Sequence, residues 1–152
     1  MSKESTNQGY RLRPATAADS ARIKDLIRRV FINRSGLDWR RFIVAETDTG
    51  EFIGCAQLKP HRDGSVELAS LAVEQAYRGE GVARKLIEHL LEAGPRPLYL
   101  MCRPALVPLY EKFGFYVIEN EPVSPFFQRI RFLLRTGRLF TGRQLGFILR
   151  LD

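Results

Sequence analysis

Two glycines separated by one residue, in the segment Arg78-Gly79-Glu80-Gly81-Val82-Ala83, mark the part of the sequence best suited to bind an anion. The segment joins a predicted strand, Val66–Val73, to a predicted helix that runs to about Ala93. Free N–H groups and the positive end of the helix dipole converge at such a junction, and glycine lets the backbone approach phosphate oxygens closely. Arg78 adds a positive charge at the rim. An isolated G-x-G also occurs in tight turns that bind no ligand, so that alternative stays open here.

Two better-known phosphate-binding motifs do not fit this turn. The G-x-x-x-x-G-K-[ST] loop needs a Lys-Ser or Lys-Thr pair after the glycines, and none follows Gly81. The dinucleotide fingerprint G-x-G-x-x-G needs a third glycine, and Arg84 occupies that place. It also needs a parallel β-α-β unit, whereas short links predict that the three strands before the turn are antiparallel.

The elements that position the turn follow from hydrophobic periodicity along the chain. Thr16 and Asp19 form a capping-box-like start to a first helix, whose core face carries Ile23, Leu26, Ile27 and Val30. A short helix is predicted from Leu109 to Phe113, with Pro108 in its first turn and Gly114 as its C-cap. The predicted strands are 10–14, 42–46, 52–58, 66–73, 97–102, 115–118 and 146–151. This order predicts an α/β (α+β) fold with a mixed, largely antiparallel central sheet of about seven strands flanked by helices.

The composition is that of a soluble domain. With 152 residues, 45% hydrophobic and 27% charged, the chain predicts a single domain over 10–152 after a disordered tail at 1–9. No apolar run reaches the roughly 20 residues of a membrane-spanning helix, and the N-terminus lacks a signal-peptide pattern. Cys55 and Cys102 are interpreted as core thiols, and two cysteines with two histidines predict no metal site. The expected location is the cytoplasm.

Most of the net charge of +7 lies near the C-terminus. Between Pro122 and Asp152, six arginines and one acid contribute +5. Within 124–144, apolar residues at near-helical spacing alternate with arginines; they are Phe126, Phe127, Ile130, Leu133 and Leu134. One interpretation is an amphipathic helix that covers an end of the sheet; the alternative is a surface for an acidic partner, an anionic acceptor or a membrane. No clear nucleic-acid partner is predicted, because no recognised binding fold accompanies the arginines.

Three motifs, in this order along the chain, resemble a known family. Glu67-Leu68-Ala69-Ser70-Leu71-Ala72-Val73 resembles the fourth strand of the GCN5-related N-acetyltransferases (the GNAT superfamily), and Arg78, Gly81 and Ala83 meet the family signature [RQ]-x-x-G-x-[GA]. Leu109-Tyr110-Glu111-Lys112-Phe113-Gly114-Phe115 is similar to the family's short helix and following strand. The first strand also ends in a typical Arg-Pro-Ala. The resemblance covers roughly 10–119 and, more loosely, the final strand.

The resemblance implies an acetyl-CoA-dependent N-acetyltransferase of the acyl-CoA N-acyltransferase fold, without a metal. It would transfer acetyl to a primary amine of a small molecule, an amino acid or a protein by direct attack of the amine on the thioester. The cofactor-binding residues that it implies are Leu71, Ala72, Val73, Arg78, Gly79, Glu80, Gly81, Val82 and Ala83. The pyrophosphate would lie on the amides of 78–83, and the pantetheine arm would pair with 71–73 like an added strand. A backbone N–H of 71–73 would polarise the thioester carbonyl.

Two catalytic residues follow from the same resemblance. Glu67, six residues before Val73, lies on the strand where similar enzymes carry a glutamate that acts as general base, directly or through water. Tyr110 corresponds to the tyrosine that protonates the departing thiolate. The structural alternatives are a sheet-edge glutamate paired with an arginine and a half-buried helix tyrosine. Arg103 stands where the family often has a cofactor-contacting asparagine, so that role is not carried over.

The acceptor cannot be identified from the sequence. Trp39 could line an acceptor pocket or fill the core, and Asp38 could receive a substrate cation or be a solvated loop acid. A homodimer is possible. The alternatives to catalysis are an acyl-CoA-binding sensor and an interaction module that uses the arginine-rich segment 124–144.

Overall fold

The computed structural model describes residues 9–30 and 33–152. The tail predicted at 1–9 therefore lies outside the described residues, except for Gly9. The chain divides into two compact units, one made of Met1–Gln57 and Ser70–Glu92, the other of Leu58–Ala69 and Ala93–Asp152. The single domain over 10–152 stays a prediction.

The described residues form seven strands, which pair in the order β1-β2-β3-β4-β5-β7-β6. Their bounds are β1 (Tyr10–Pro14), β2 (Phe42–Thr47), β3 (Phe52–Pro60), β4 (Val66–Val73), β5 (Leu98–Cys102), β6 (Tyr116–Val117) and β7 (Phe147–Leu151). Antiparallel pairing joins β1 to β2, β2 to β3, β5 to β7 and β6 to β7. The pairing of β4 with β5 is parallel and is recorded at Glu67 and Tyr99. The predicted mixed, largely antiparallel sheet of about seven strands is confirmed.

Four α-helices accompany these strands in the described residues: α1 (Ser20–Arg29), α2 (Val82–Ala93), α3 (Val107–Glu111) and α4 (Pro125–Thr141). Short 3-10 turns lie at Ala17–Asp19, Trp39–Arg41, Gln75–Tyr77 and Pro104–Leu106. The helix predicted after the glycine turn is confirmed to end at Ala93. The arginine-rich segment contains a helix, as its spacing predicted.

In the first unit, α1 buries its apolar face against β2. The predicted core residues Ile23, Leu26 and Ile27 are fully buried and cluster with Phe42 and Val44. Helical spacing alone accounts for this face, since positions three and four apart lie on the same side of a helix.

A buried ionic network fixes the start of α1. Asp19 accepts hydrogen bonds from the Thr16 amide at 2.7 Å and from both terminal nitrogens of Arg13 at 2.7 and 3.0 Å. Arg13 also donates through Nε to Glu46 at 2.9 Å, and Arg11 donates to the same carboxylate. The predicted capping box is therefore present, and its acid also ties β1 to the helix start.

In the second unit, α4 packs its first turns into the core. Phe127 is fully buried and stacks on Tyr99 of β5, with 4.4 Å between the ring centroids. Ile118, Val123 and Ile148 complete the buried cluster. Leu133, predicted on the apolar face of the helix, is instead 62% exposed. Leu134, seven residues after the buried Phe127, lies on the same side of the helix and packs against the core, whereas Leu133 points about 100° away from Leu134.

Three local predictions around α3 are corrected. The helix begins at Val107 rather than Leu109, because the turn at Pro104–Leu106 leads directly into it. Its C-cap is Lys112 rather than Gly114, which takes a left-handed φ of 92° before the chain enters β6. That strand spans only Tyr116–Val117, not 115–118.

Both cysteines were predicted to be core thiols. The prediction is confirmed for Cys55, which is buried, and wrong for Cys102, which is only partly buried.

Candidate functional site

Ser70, within β4, has an unusual backbone conformation. Ser70 takes a φ of 58°, the left-handed region that residues with a Cβ rarely occupy. Its hydroxyl accepts a hydrogen bond of 2.9 Å from Nε2 of the buried Gln57, which also donates to the Gly36 carbonyl at 3.2 Å. This contact holds an unfavourable backbone conformation directly before the predicted cofactor residues Leu71, Ala72 and Val73.

The glycine turn that follows β4 has the backbone that its sequence predicted. Gly79 and Gly81 take φ values of 81° and 83°, and α2 begins at Val82. A Cβ placed on either glycine would have no atom within 4 Å outside its own chain neighbours, so the space above the turn is open. The glycines are therefore required by backbone conformation rather than by crowding.

The start of α2 supplies hydrogen-bond donors without partners. The Lys85 amide donates to the Gly81 carbonyl at 3.1 Å, while the amides of the first helical turn before it have no intrahelical acceptor. These donors and the helix dipole favour an anion at the turn. The turn residues Arg78 to Gly81 are exposed, Val82 is buried and Ala83 is half-buried.

Two charged side chains border the turn. Arg78 donates through Nε to the Val73 carbonyl at 3.2 Å, which leaves its terminal nitrogens for another acceptor. Glu80 is exposed, and its charge adds to the effect of burial in raising the pKa of Tyr10. The backbone of Glu80, not its carboxylate, is therefore the part that suits an anion. The turn therefore offers backbone donors and the Arg78 side chain to an anion.

Glu67 lies in β4 and is buried, and its partner is a histidine rather than the arginine considered above. Glu67 Oε2 and His61 Nε2 are 2.8 Å apart, and each side chain is 7% exposed. Burial raises the pKa of Glu67, while the hydrogen bond from His61 and the charge of Lys59 oppose the rise. A carboxylate with a raised pKa in a buried setting is a reasonable proton acceptor near neutral pH.

The His61 ring is enclosed by the start of α4. It stacks on Phe126 with 3.6 Å between centroids and meets the edge of Phe127 at 5.7 Å. Asp63, in the same turn, accepts a 2.8 Å hydrogen bond from the Phe126 amide. The β3–β4 turn and the first turn of α4 therefore fix the position of His61, and through it the carboxylate of Glu67.

Tyr110 lies in α3 and is also buried. Its side chain meets the edge of Phe115, with 6.1 Å between centroids, and no described residue hydrogen-bonds its hydroxyl. Burial raises the pKa of Tyr110 to about 12. The phenol therefore stays protonated at neutral pH and has an unused donor.

The remaining predicted residues have structural roles in the described chain. Trp39 packs against the core of the first unit and carries Arg40 over its ring at 4.9 Å. Asp38 accepts from the Arg40 amide at 3.1 Å and so caps the turn at Trp39–Arg41. Arg103 precedes the turn at Pro104–Leu106, where its carbonyl accepts from the Leu106 amide at 3.0 Å.

Ser70 and His61 are the site residues that the sequence did not single out. A left-handed serine within a strand has no signature in the sequence. His61 could have been found from the tight turn, in which the His61 amide donates a hydrogen bond of 2.9 Å to the Ser65 carbonyl. Glu67 lies two residues after Ser65, which makes it a diagonal neighbour of His61 on the same face of the two paired strands.

Across residues 9–30 and 33–152, no group of three or more His, Cys, Asp or Glu side chains could hold a metal ion. In the same part of the chain, no helix has the length and apolar character needed to cross a bilayer.

A strand, a left-handed glycine turn and a helix whose first amides have no intrahelical acceptor form one unit of this α/β domain. Comparison with known proteins identifies its family. A family model for the acetyltransferase (GNAT) domain matches residues 38–117, just over half of the chain, and the chain belongs to this family.

Relatives and solved structures agree with this assignment. The mycothiol acetyltransferase of Rhodococcus jostii (strain RHA1) is 35% identical over 94 residues, which cover 61% of this chain and 30% of that protein. The chain therefore spans under a third of the length of that relative. The fold is shared with Rv2747 of Mycobacterium tuberculosis, solved with CoA, at a TM-score of 0.73 and 20% identity, covering 93% of this chain and 98% of that one. The N-acetylglutamate synthase of Neisseria gonorrhoeae, solved with CoA and N-acetyl-glutamate, has a TM-score of 0.70 and 22% identity. The match covers 93% of this chain and 34% of that one.

Proposed function

We propose that the chain is an N-acetyltransferase that uses acetyl-CoA to acetylate a primary amine. The observation that carries the proposal is the open, left-handed turn at Gly79 and Gly81, which joins β4 to the N-terminus of α2. Membership of the GNAT family supports it, as do the names of the relatives and the CoA bound in the similar structures.

The cofactor would be held mainly by backbone groups. The amides of Gly79, Glu80, Gly81, Val82 and Ala83 would donate to the pyrophosphate oxygens, and Arg78 would add a charge-assisted hydrogen bond. The pantetheine arm would lie beside Leu71, Ala72 and Val73 and hydrogen-bond to their backbone as an added strand does. One N–H of this strand would donate to the thioester carbonyl oxygen as negative charge develops there.

Glu67 is proposed as the general base. An alkylammonium has a pKa near 10, so a proton must leave the acceptor before its nitrogen can attack. Glu67 would accept that proton, directly or through a water molecule. The free nitrogen would then form the C–N bond of the amide as the C–S bond of the thioester breaks.

Tyr110 is proposed as the hydrogen-bond donor to the departing sulfur. Its pKa of about 12 lies above the thiol value near 8.5. Stabilisation of the developing thiolate by a hydrogen bond is therefore favoured over early, complete transfer of the phenol proton. After the attack the nitrogen still carries one proton more than the amide keeps. That second proton would end on the CoA sulfur, which becomes a free thiol, while the proton taken up by Glu67 would pass to solvent.

The acceptor is proposed only as a class. The similar proteins are named for mycothiol and for N-acetylglutamate, and both names point to the amine of a small molecule or an amino acid. The amino group of a protein remains an alternative, as does an acyl group longer than acetyl. We place the reaction in the cytoplasm, where the free thiols of Cys55 and Cys102 would stay reduced.

Calorimetry and a thiol-release assay test the proposal in sequence. Titration with acetyl-CoA at micromolar concentration should show one-site binding, and no binding would overturn the proposal. Release of free CoA in the presence of a panel of amines and amino acids should then identify acceptors. Binding without release from any amine would instead favour an acyl-CoA sensor. Sedimentation at several concentrations would test for a homodimer.

A further inference from the structure

The outward face of the second half of α4 is apolar. Among the described residues, the large hydrophobic side chains that are exposed all lie within 132–145; they are Phe132 (68%), Leu133 (62%), Leu139 (85%), Phe140 (87%) and Leu145 (48%). Four of them lie on α4 itself, and we refer to Phe132, Leu133, Leu139 and Phe140 as the outer stripe. The residue pairs Phe132 and Leu139, and Leu133 and Phe140, are seven positions apart, so the four side chains share one helical face.

The outer stripe is distinct from the face that α4 turns to its own core. Phe127 is buried, while Ile130 and Leu134 pack against the cluster around it. Gly137 lies against Leu145, since a Cβ there would be 2.5 Å from a Leu145 methyl carbon. The helix is therefore apolar on two sides, and such a helix is normally covered on both.

The other long helices present a different outward face. On α1 the exposed positions include Arg22, Lys24 and Arg28, and on α2 they include Arg84 and Lys85. No large apolar side chain is exposed on either helix. The outer stripe is thus a property of α4 and not of the helices of this chain in general.

The charge beside the outer stripe is positive. Arg129 precedes the stripe, Arg135 lies within its span and Arg143 follows it, and all three are exposed. No acidic residue occurs between Pro122 and Leu151. The side chains of Arg129 and Arg143 have no hydrogen bond or ion pair within the described residues.

We infer that the outer stripe and its arginines form a docking surface for an anionic lipid membrane. A helix with Phe and Leu on one face and arginines beside them lies in the plane of a bilayer, with its apolar side chains among the acyl chains and its cations at the headgroups. A second copy of this chain fits less well, because two such faces would bring like charges together. Nucleic acid would leave the four apolar side chains in water. The inference does not depend on acetyl transfer.

Vesicle binding by the 152-residue chain tests the inference. The chain should co-sediment with vesicles of phosphatidylcholine mixed with phosphatidylglycerol, and much less with phosphatidylcholine alone. Added salt should weaken binding, because the charge contribution is screened. Failure to bind the anionic vesicles, or equal binding to both, would overturn the inference.

Two double variants and a matched control assign the binding to this surface. Leu139→Ser with Phe140→Ser should weaken binding at least tenfold, as expected from the apolar surface that two large side chains would bury. Arg129→Gln with Arg143→Gln should weaken it by about tenfold or more. Arg22→Gln with Lys24→Gln removes the same charge from α1 and should change it by less than about twofold. Equal losses in the last two variants would show that net charge, and not this surface, is responsible.

Folding and self-association are followed in the same samples. Urea unfolding monitored by circular dichroism should be unchanged in the Ser variant, since both side chains are exposed. The wild type could instead form a dimer, fail to bind vesicles, and become monomeric in the variant Leu139→Ser with Phe140→Ser. That result would show that the outer stripe joins two copies, and it would overturn the membrane assignment.

Discussion

Replacing His61 should shift the ionisation of Glu67 and, with it, the pH dependence of acetyl transfer. The two side chains are 2.8 Å apart and each is 7% exposed, so solvent screens their interaction little. A hydrogen bond to a charged group contributes about 1.5–3 kcal/mol, and one pKa unit corresponds to about 1.4 kcal/mol. His61→Leu should therefore remove about 1.5–3 kcal/mol of stabilisation from the carboxylate and raise the pKa of Glu67 further, because burial would then be opposed only by Lys59.

The sign of the kinetic effect follows from the proposed role. A general base works only when it is deprotonated, so a higher pKa of Glu67 lowers the rate on the acid side. We expect the ratio of kcat/KM of His61→Leu to that of the wild type to be smallest near pH 5. It should rise to a plateau above the raised pKa. The ionisation of the acceptor amine is common to both enzymes and cancels in this ratio.

A conservative variant and a second measurement make this prediction sharper. His61→Gln retains an N–H donor to Glu67 without the imidazole ring, so its kcat/KM ratio to the wild type should vary less with pH than that of His61→Leu. The carboxyl carbon of Glu67, followed by NMR in the free protein, should titrate at a higher pH in His61→Leu than in the wild type. A ratio that is flat with pH, together with an unchanged NMR titration, would refute the assignment of His61 as the group that positions Glu67. A shifted titration with a flat ratio would refute Glu67 as the base.

Three further predictions concern the cofactor, the leaving group and stability. Gly81→Ala should weaken acetyl-CoA binding in calorimetry by about tenfold, since a Cβ at φ 83° costs roughly 1–2 kcal/mol, while Gly50→Ala, at φ 84° in another open turn, should leave the affinity unchanged. Tyr110→Phe should lower kcat by about 100-fold without changing acetyl-CoA affinity, and unchanged turnover would exclude the proposed donor. Asp19→Asn should lower the free energy of unfolding in urea by about 2 kcal/mol. Asp25→Asn, at a side chain that is 46% exposed, should lower it by less than about 0.5 kcal/mol. Because the hydrogen bond from Arg13 lowers the pKa of Asp19, this stabilisation is present above the ordinary carboxyl pKa near 4, and the difference should shrink as the pH falls below it.

The sequence predicts best where one local signal determines the structure. Alternation and a terminal proline placed β1 at the observed Tyr10–Pro14, and the glycines with the following apolar face placed α2 up to Ala93. The capping box at Thr16 was also read from residue types alone. Each of these depends on contacts between residues close in the chain, so a local pattern is sufficient.

Prediction failed where two elements compete for the same residues. Leu133 and Leu134 are adjacent and equally apolar, and only the packing of α4 decides which of them is buried. The structural alternative for Glu67 paired it with an arginine, but its partner is His61, because the β3–β4 turn and Phe126 together enclose that ring. Such outcomes depend on contacts between distant parts of the chain, which periodicity does not contain.

The two proposed roles of β4 require that its two halves differ in geometry. Glu67 belongs to a regular part of the strand that pairs with Tyr99, whereas Leu71, Ala72 and Val73 follow the left-handed Ser70. Pairing between β4 and β5 is recorded at Glu67 and Tyr99. If it continued past Ser70, the backbone groups on that side of 71–73 would be used within the sheet and would not be free for an added strand. The hydrogen bond from Gln57 offsets part of the cost of the Ser70 conformation. We therefore regard Gln57 and Ser70 as the pair that allows one strand to carry a buried carboxylate and, further along, a backbone edge available to the cofactor.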